Sequence, residues 1–165
     1  MRLAAIPLAF ALAACLPAVD LPEEAETPRL DPIAFFEGQT EGSGTLVLVT
    51  GKTHRIDVES EGTLRPDGSL ELVQRISEGD KPARTRTWIM TDEGDGRYGG
   101  SLTDAVGEVE AYTDGNRMTI RYETEGERIE QTLALEPDGT TVRNRLDAYK
   151  WGLNVARLDE TIVKQ

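Results

Sequence analysis

The chain has 165 residues, 38% of them hydrophobic, and 30 acidic against 18 basic side chains give it a net charge of −12. That length holds one domain with a real core. The acidic balance argues against a nucleic-acid partner and against contact with anionic lipid head groups, and the single cysteine excludes an internal disulfide.

Arg2 precedes an apolar run, Leu3 to Ala13, too short to cross a bilayer as a helix. Leu12-Ala13-Ala14-Cys15 ends it with small side chains where a peptidase needs them. This looks like a bacterial lipoprotein signal: residues 1–14 are expected to be the signal peptide, and Cys15 the lipidated residue. Acyl chains contribute about 0.8 kcal/mol per buried CH₂, so a multiply acylated cysteine is a lasting anchor. Leu16 follows where an aspartate would retain the protein at the inner membrane, so by resemblance to the usual sorting rule the expected address is the cell envelope, at the outer membrane facing the periplasm. The lipid at Cys15 is expected to be the only membrane contact. Residues 15–30, with three prolines and a cluster of glutamates, read as a flexible tether.

The remaining residues, 31–165, read as a single domain. Asp31-Pro32-Ile33-Ala34-Phe35-Phe36-Glu37-Gly38 predicts a short helical turn, capped by Asp31, started by Pro32 and ended by Gly38. From Gly44 on, short segments alternate with turn chemistry: Pro66-Asp67-Gly68, Glu78-Gly79-Asp80, Asp92 to Gly96, Asp114-Gly115-Asn116, Glu125-Gly126-Glu127 and Pro137-Asp138-Gly139. Several segments alternate with period two. His54, Ile56 and Val58 share one face, as do Met118, Ile120 and Tyr122, and Ile129, Leu133 and Leu135. Consecutive hairpins of about eight to ten strands, with no long helical period, predict an all-β, antiparallel, up-and-down barrel. A two-layer sandwich is the alternative; it needs a longer crossover than these connections offer.

A set of short motifs then becomes recognisable in order: Phe35-Phe36-Glu37-Gly38, Gly42-Ser43-Gly44, Arg86-Thr87-Trp88, Tyr98-Gly99-Gly100, Gly107, Gly115-Asn116, Asn144-Arg145 and Lys150-Trp151-Gly152. Together they resemble an uncharacterised proteobacterial lipoprotein family, domain of unknown function 3833, from Asp31 to about Lys164. The chain departs from that pattern at Tyr149-Lys150-Trp151, where methionine-lysine-phenylalanine is expected. A more distant likeness is to lipocalin-type (calycin-like) barrels, which open with a short helical turn and a glycine-bearing first strand. The family implies no particular activity.

Catalytic signatures are sparse. No serine sits in a Gly-x-Ser-x-Gly elbow, and a triad would have to use His54, the only histidine. With no second histidine or a free cysteine, a zinc site lacks partners, and no metal or cofactor is expected. Haem needs one axial ligand, so a haem-binding or lipid-active role for His54 stays as an alternative. Arg84, Arg86 and Trp88 share a strand face; they read as a contact for an anionic or amphipathic ligand, or as an arginine stacked on a tryptophan. Gln74, Gln131 and Asn144 interrupt otherwise apolar faces, as lining of a cavity or as a structural network. The ligand-binding candidates are therefore His54, Gln74, Arg86, Trp88, Tyr122, Gln131 and Asn144. The expected function is non-enzymatic binding of a small apolar or amphipathic molecule. The competing reading is a filled barrel that serves assembly through an unidentified protein partner.

Overall fold

Alternating apolar side chains and tight turns fold the chain into ten strands, each antiparallel to the next: β1 (Gly38–Leu48), β2 (Thr53–Leu64), β3 (Leu70–Glu78), β4 (Arg84–Gly94), β5 (Arg97–Leu102), β6 (Glu110–Asp114), β7 (Arg117–Glu123), β8 (Arg128–Leu135), β9 (Thr141–Lys150) and β10 (Leu153–Lys164). The structure is a computed structural model, and it describes Leu16 and residues 20–165. The expected signal peptide and Cys15 lie outside the described residues. β1 pairs with β2 on one side and β10 on the other, from Thr40↔Lys164 to Leu48↔Ala156, so the sheet closes into a barrel and leaves no open edge. Closure sets aside the sandwich. The expected faces point inward: Ile56 and Val58, Met118, Ile120 and Tyr122, and Ile129, Leu133 and Leu135 are buried.

Because neighbouring strands run in opposite directions, the β1–β2, β3–β4, β5–β6, β7–β8 and β9–β10 connections gather at one end. The other connections and the C-terminus share the opposite end with helix α1 (Pro32–Phe36). The Asp31 carboxylate accepts the Ala34 N–H at 3.1 Å, and Pro32 occupies the first turn. The last carbonyls of so short a helix have no partners within it. Lys164 supplies them, its Nζ donating to Ala34 and Phe35 at 2.9 Å and to Glu37 at 2.5 Å. A Cβ at Gly62 would stand 1.8 Å from the Phe36 carbonyl oxygen, so only glycine lets the helix settle against β2. Phe35 and Phe36 meet edge to face, centroids 5.0 Å apart, and close this end from within.

Residues 20–30, expected to belong to a flexible tether, are instead fastened to the barrel. The Asn116 side chain is the clasp: Oδ1 accepts the Ala25 N–H at 2.9 Å, and Nδ2 donates to the Glu23 and Leu135 carbonyls at 3.1 Å. Leu30 N–H donates to the Gly115 carbonyl at 2.9 Å, and a Cβ on Gly115 would come within 2.1 Å of the Ala25 oxygen. Arg117 donates to the Pro22 carbonyl at 2.6 Å, and Arg157 to that of Leu16 at 2.9 Å. Composition suggests a solvated chain, but backbone groups that find fixed partners are ordered by them.

Asn116→Ala removes the clasp and leaves buried backbone groups unpaired, a loss of about 1–3 kcal/mol. The expected outcome is faster amide exchange in residues 20–30 with β7–β9 still protected, read by hydrogen–deuterium exchange. Unchanged protection of that segment would remove Asn116 from this role.

Candidate ligand-binding site

The buried apolar side chains form two groups. The larger includes Phe36, Leu72, Trp88, Ile120 and Leu133; the smaller is Ile56, Val58 and Ile76, flanked by the half-buried Leu46 and Leu158. Both groups line a cavity of about 160 Å³. Its floor is Phe36 at the closed end, and its lining reaches Leu46, Glu78 and Arg84 toward the open end. Apolar cavities of about 150 Å³ accept a benzene ring, so this one takes a ring or a short chain.

A polar belt crosses the greasy wall at mid-height. Gln74 (β3) donates to Ser60 (β2) at 3.3 Å and accepts from the Arg86 (β4) guanidinium at 3.0 and 2.7 Å. On the other side of β1, Gln131 (β8) donates to Asn144 (β9) at 2.9 Å, and Asn144 donates to the Glu160 (β10) carboxylate at 2.7 Å. The two arcs meet where β1 presents Gly42 and Gly44, which carry no side chains to fill the space. A Cβ on Gly42 would stand 2.0 Å from Glu160 Oε1, and one on Gly44 2.8 Å from Glu160 Cα. Gly42 therefore makes room for the carboxylate, and Gly44 for the β10 backbone that carries it.

Gln74, Arg86, Trp88, Tyr122, Gln131 and Asn144 all line this one cavity. Arg86 is oriented by Gln74, and arginine stacking on a ring occurs elsewhere, Arg128 lying 4.8 Å from the Tyr149 centroid. Tyr122 faces the Arg86 guanidinium; burial nonetheless pushes its hydroxyl pKa up, against the pull of Arg86. Trp88 Nε1 is a buried donor with no partner. His54 stands apart. It is half-buried at the second position of β2, its Nδ1 3.8 Å from the Glu78 carboxylate, and it is not part of the cavity wall. In-phase alternation put it on the inner face, but its place at the strand start puts it at the rim.

Glu160 was not among the sequence candidates. Its signal is the same as theirs, a polar residue in phase with Leu158 and Ile162, but it is hidden among the many acidic side chains of the chain. Burial pushes its pKa above the ordinary carboxylate range, while the Asn144 hydrogen bond and the Arg86 charge pull it down less strongly. A carboxyl whose pKa is raised on folding binds its proton more tightly in the native state. Its favourable contribution is complete below the ordinary carboxylate value and is lost as pH rises from there through the raised one. Glu160→Gln keeps the shape and the acceptor but carries no charge. The variant is expected to melt above wild type at pH 8 and level with it at pH 4. The gap should be a few degrees, since about 1 kcal/mol moves such a midpoint by roughly 2–8 °C. Parallel melting curves across that range would mean that Glu160 ionises without cost.

The barrel has counterparts among solved structures. It is similar to a protein of unknown function of the DUF3598 family from Nostoc punctiforme PCC 73102, at 15% identity and a TM-score of 0.64 over 84% of this chain and 50% of that one, so this chain spans about half its length. It is also similar to the S-type phycobiliprotein lyase CPES from Guillardia theta, at 6% identity and a TM-score of 0.61 over 81% of this chain and 90% of that one. Identities this low establish the lipocalin-like barrel and nothing more. No curated protein sequence matches this one. The family model of DUF3833, described as a protein of unknown function, matches residues 9–164, and the chain belongs to that family.

Proposed function

We propose that this is a lipid-anchored protein of the bacterial envelope whose barrel binds and shields one small apolar or amphipathic molecule, without converting it. The cavity carries the proposal: apolar walls for a greasy body, and a belt of amides, Arg86 and Glu160 for a hydrogen-bonding head. A well-packed barrel would have favoured the assembly reading instead. At about 160 Å³ the space suits one ring or the end of a chain. A longer molecule would extend past Leu46 and Leu158, neighbours in the β1–β10 ladder, toward the open end. The anchor is proposed from the sequence around Cys15, with attachment to the outer membrane facing the periplasm. The placement of His54 at the rim favours binding through the belt over a haem or an enzymatic site built on the histidine.

Ile76→Phe tests the proposal by filling the cavity from an inner face already apolar. Wild type is expected to bind one equivalent of a small fluorescent apolar probe, followed by titration, and to release a small molecule in native mass spectrometry when isolated from its host. The variant should keep the wild-type circular dichroism spectrum and bind about tenfold more weakly or worse, the equivalent of about 1.4 kcal/mol. Equal binding by the folded variant would place the ligand elsewhere.

A further inference from the structure

The ends of the barrel differ in what they show to solvent. Four large apolar side chains stand exposed in or beside the connections of the open end: Val49 after β1, Val106 between β5 and β6, and Trp151 and Leu153 at the β9–β10 turn. Trp151 is 90% exposed and Leu153 67%. At the closed end only Leu64 is of this kind among the described residues, and Val73, Tyr112 and Val163 lie on the outer faces of strands. Single exposed apolar residues are ordinary, but several gathered on one rim are not.

The turn that presents Trp151 is a second observation. Trp151 and Gly152 form a two-residue hairpin loop with φ of +51° and +80°. Such loops take asparagine, aspartate or glycine first, because a side chain in the left-handed region is strained. A tryptophan accepted there, with its ring projecting into solvent and Lys150 Nζ 5.2 Å from its centroid, is a costly choice for the fold alone. Tryptophan is enriched where a bilayer meets water, since its ring is apolar and its N–H is polar.

The chain's path is the third. Leu16, which follows Cys15 in sequence, is held by Arg157, four residues along β10 from Leu153, or roughly 13 Å of strand. Asp20 and Leu21 flank Arg143, Asp159 and Thr161, farther toward the closed end, and Leu30 reaches the Gly115 turn at that end. Among the described residues, Leu16 therefore lies nearer the open rim than Asp20, Leu21 and Leu30.

We infer that the open rim is a bilayer-facing surface, with Trp151 at the level of the lipid head groups and the cavity opening toward the membrane. The contact is apolar and aromatic, since a chain of net charge −12 gains nothing from anionic lipids. An apolar ligand then passes between bilayer and barrel over the apolar wall of Leu46 and Leu158 without crossing water. The path argument rests on the proposed lipid at Cys15; the exposed side chains and the strained turn do not.

The test uses the full chain with phosphatidylcholine vesicles containing a lipid brominated near its head-group end. Subtracting the Trp151→Phe signal from wild type isolates Trp151, at a position too exposed for the change to disturb the core. Trp151 emission is expected to shift to the blue and be quenched, with no sensitivity to added salt, while Trp88 keeps its emission. Val106→Asp with Leu153→Asp, both in exposed positions, should reduce the quenching. Water-like, unquenched Trp151 emission would overturn the inference whatever the cavity binds, as would quenching indifferent to the two added charges. Quenching retained in the cavity-filled Ile76→Phe chain would uphold the rim surface even where the ligand reading had failed.

Discussion

Everything in this molecule depends on the first and last strands pairing. β1 and β10 meet over nine residue pairs, and that single ladder turns a meander of hairpins into a closed wall. The ladder forms at close quarters because β1 is poor in side chains where it matters. Gly42 and Gly44 let β10 press in until the Glu160 backbone and carboxylate occupy the space a Cβ would take. A larger residue at either position must move a strand or a charge. The same glycines therefore serve closure and the site: they seat the ladder, and they create the pocket in the wall that holds a buried carboxyl group.

Ten strands enclose more space than eight, and eight already make an interior that side chains can just fill. This chain has few aromatic residues to occupy the extra width. It spends two of them, Phe35 and Phe36, on closing one end. The remaining apolar side chains cover the wall in two groups and leave a gap between them. An entirely apolar gap would be dry and indifferent to a guest's chemistry. The belt changes that, because each amide in it is oriented by its neighbour, from Ser60 to Arg86 on one arc and from Gln131 to Glu160 on the other. Satisfied networks of this kind are rigid, so the polar groups are held in fixed positions along the wall.

Much of this is legible in the residues, and the limits have physical causes. Period-two alternation identifies the inner faces, and Gln74, Gln131 and Asn144 stand out because each breaks an apolar row. Glu160 breaks its row in the same way, but in an acidic chain a glutamate looks like surface. Alternation also says which face a residue occupies and not how far along the barrel it lies, so His54 falls in phase with Ile56 yet ends at the rim. The order of residues 20–30 is invisible from composition because its partners are distant in sequence: Asn116 lies 91 positions from Ala25. Proline and glutamate describe what a segment can bury of itself, not which turn will hold its backbone.

The distribution of bonds also decides which part of the wall can yield. At the closed end, Lys164, α1 and the clasp at Asn116 tie the C-terminus, the helix and the β6–β7 turn into one body. The open end is tied by single bonds between neighbours, such as Val49 N–H to the Val155 carbonyl at 2.9 Å and Arg84 to Asp104 at 2.7 Å, and the sheet pairing is shortest beside β5. β5 and β6 share only the pairs Arg97↔Tyr112 and Tyr98↔Ala111, both toward the closed end. Beyond them, Gly99 to Leu102 keep their ladder to β4 alone, and the loop carrying Val106 is tied to β7 through its N–H bond to Glu123. Local opening follows the fewest bonds. On that measure the wall is least braced beside β5, away from the nine-pair β1–β10 ladder and the floor.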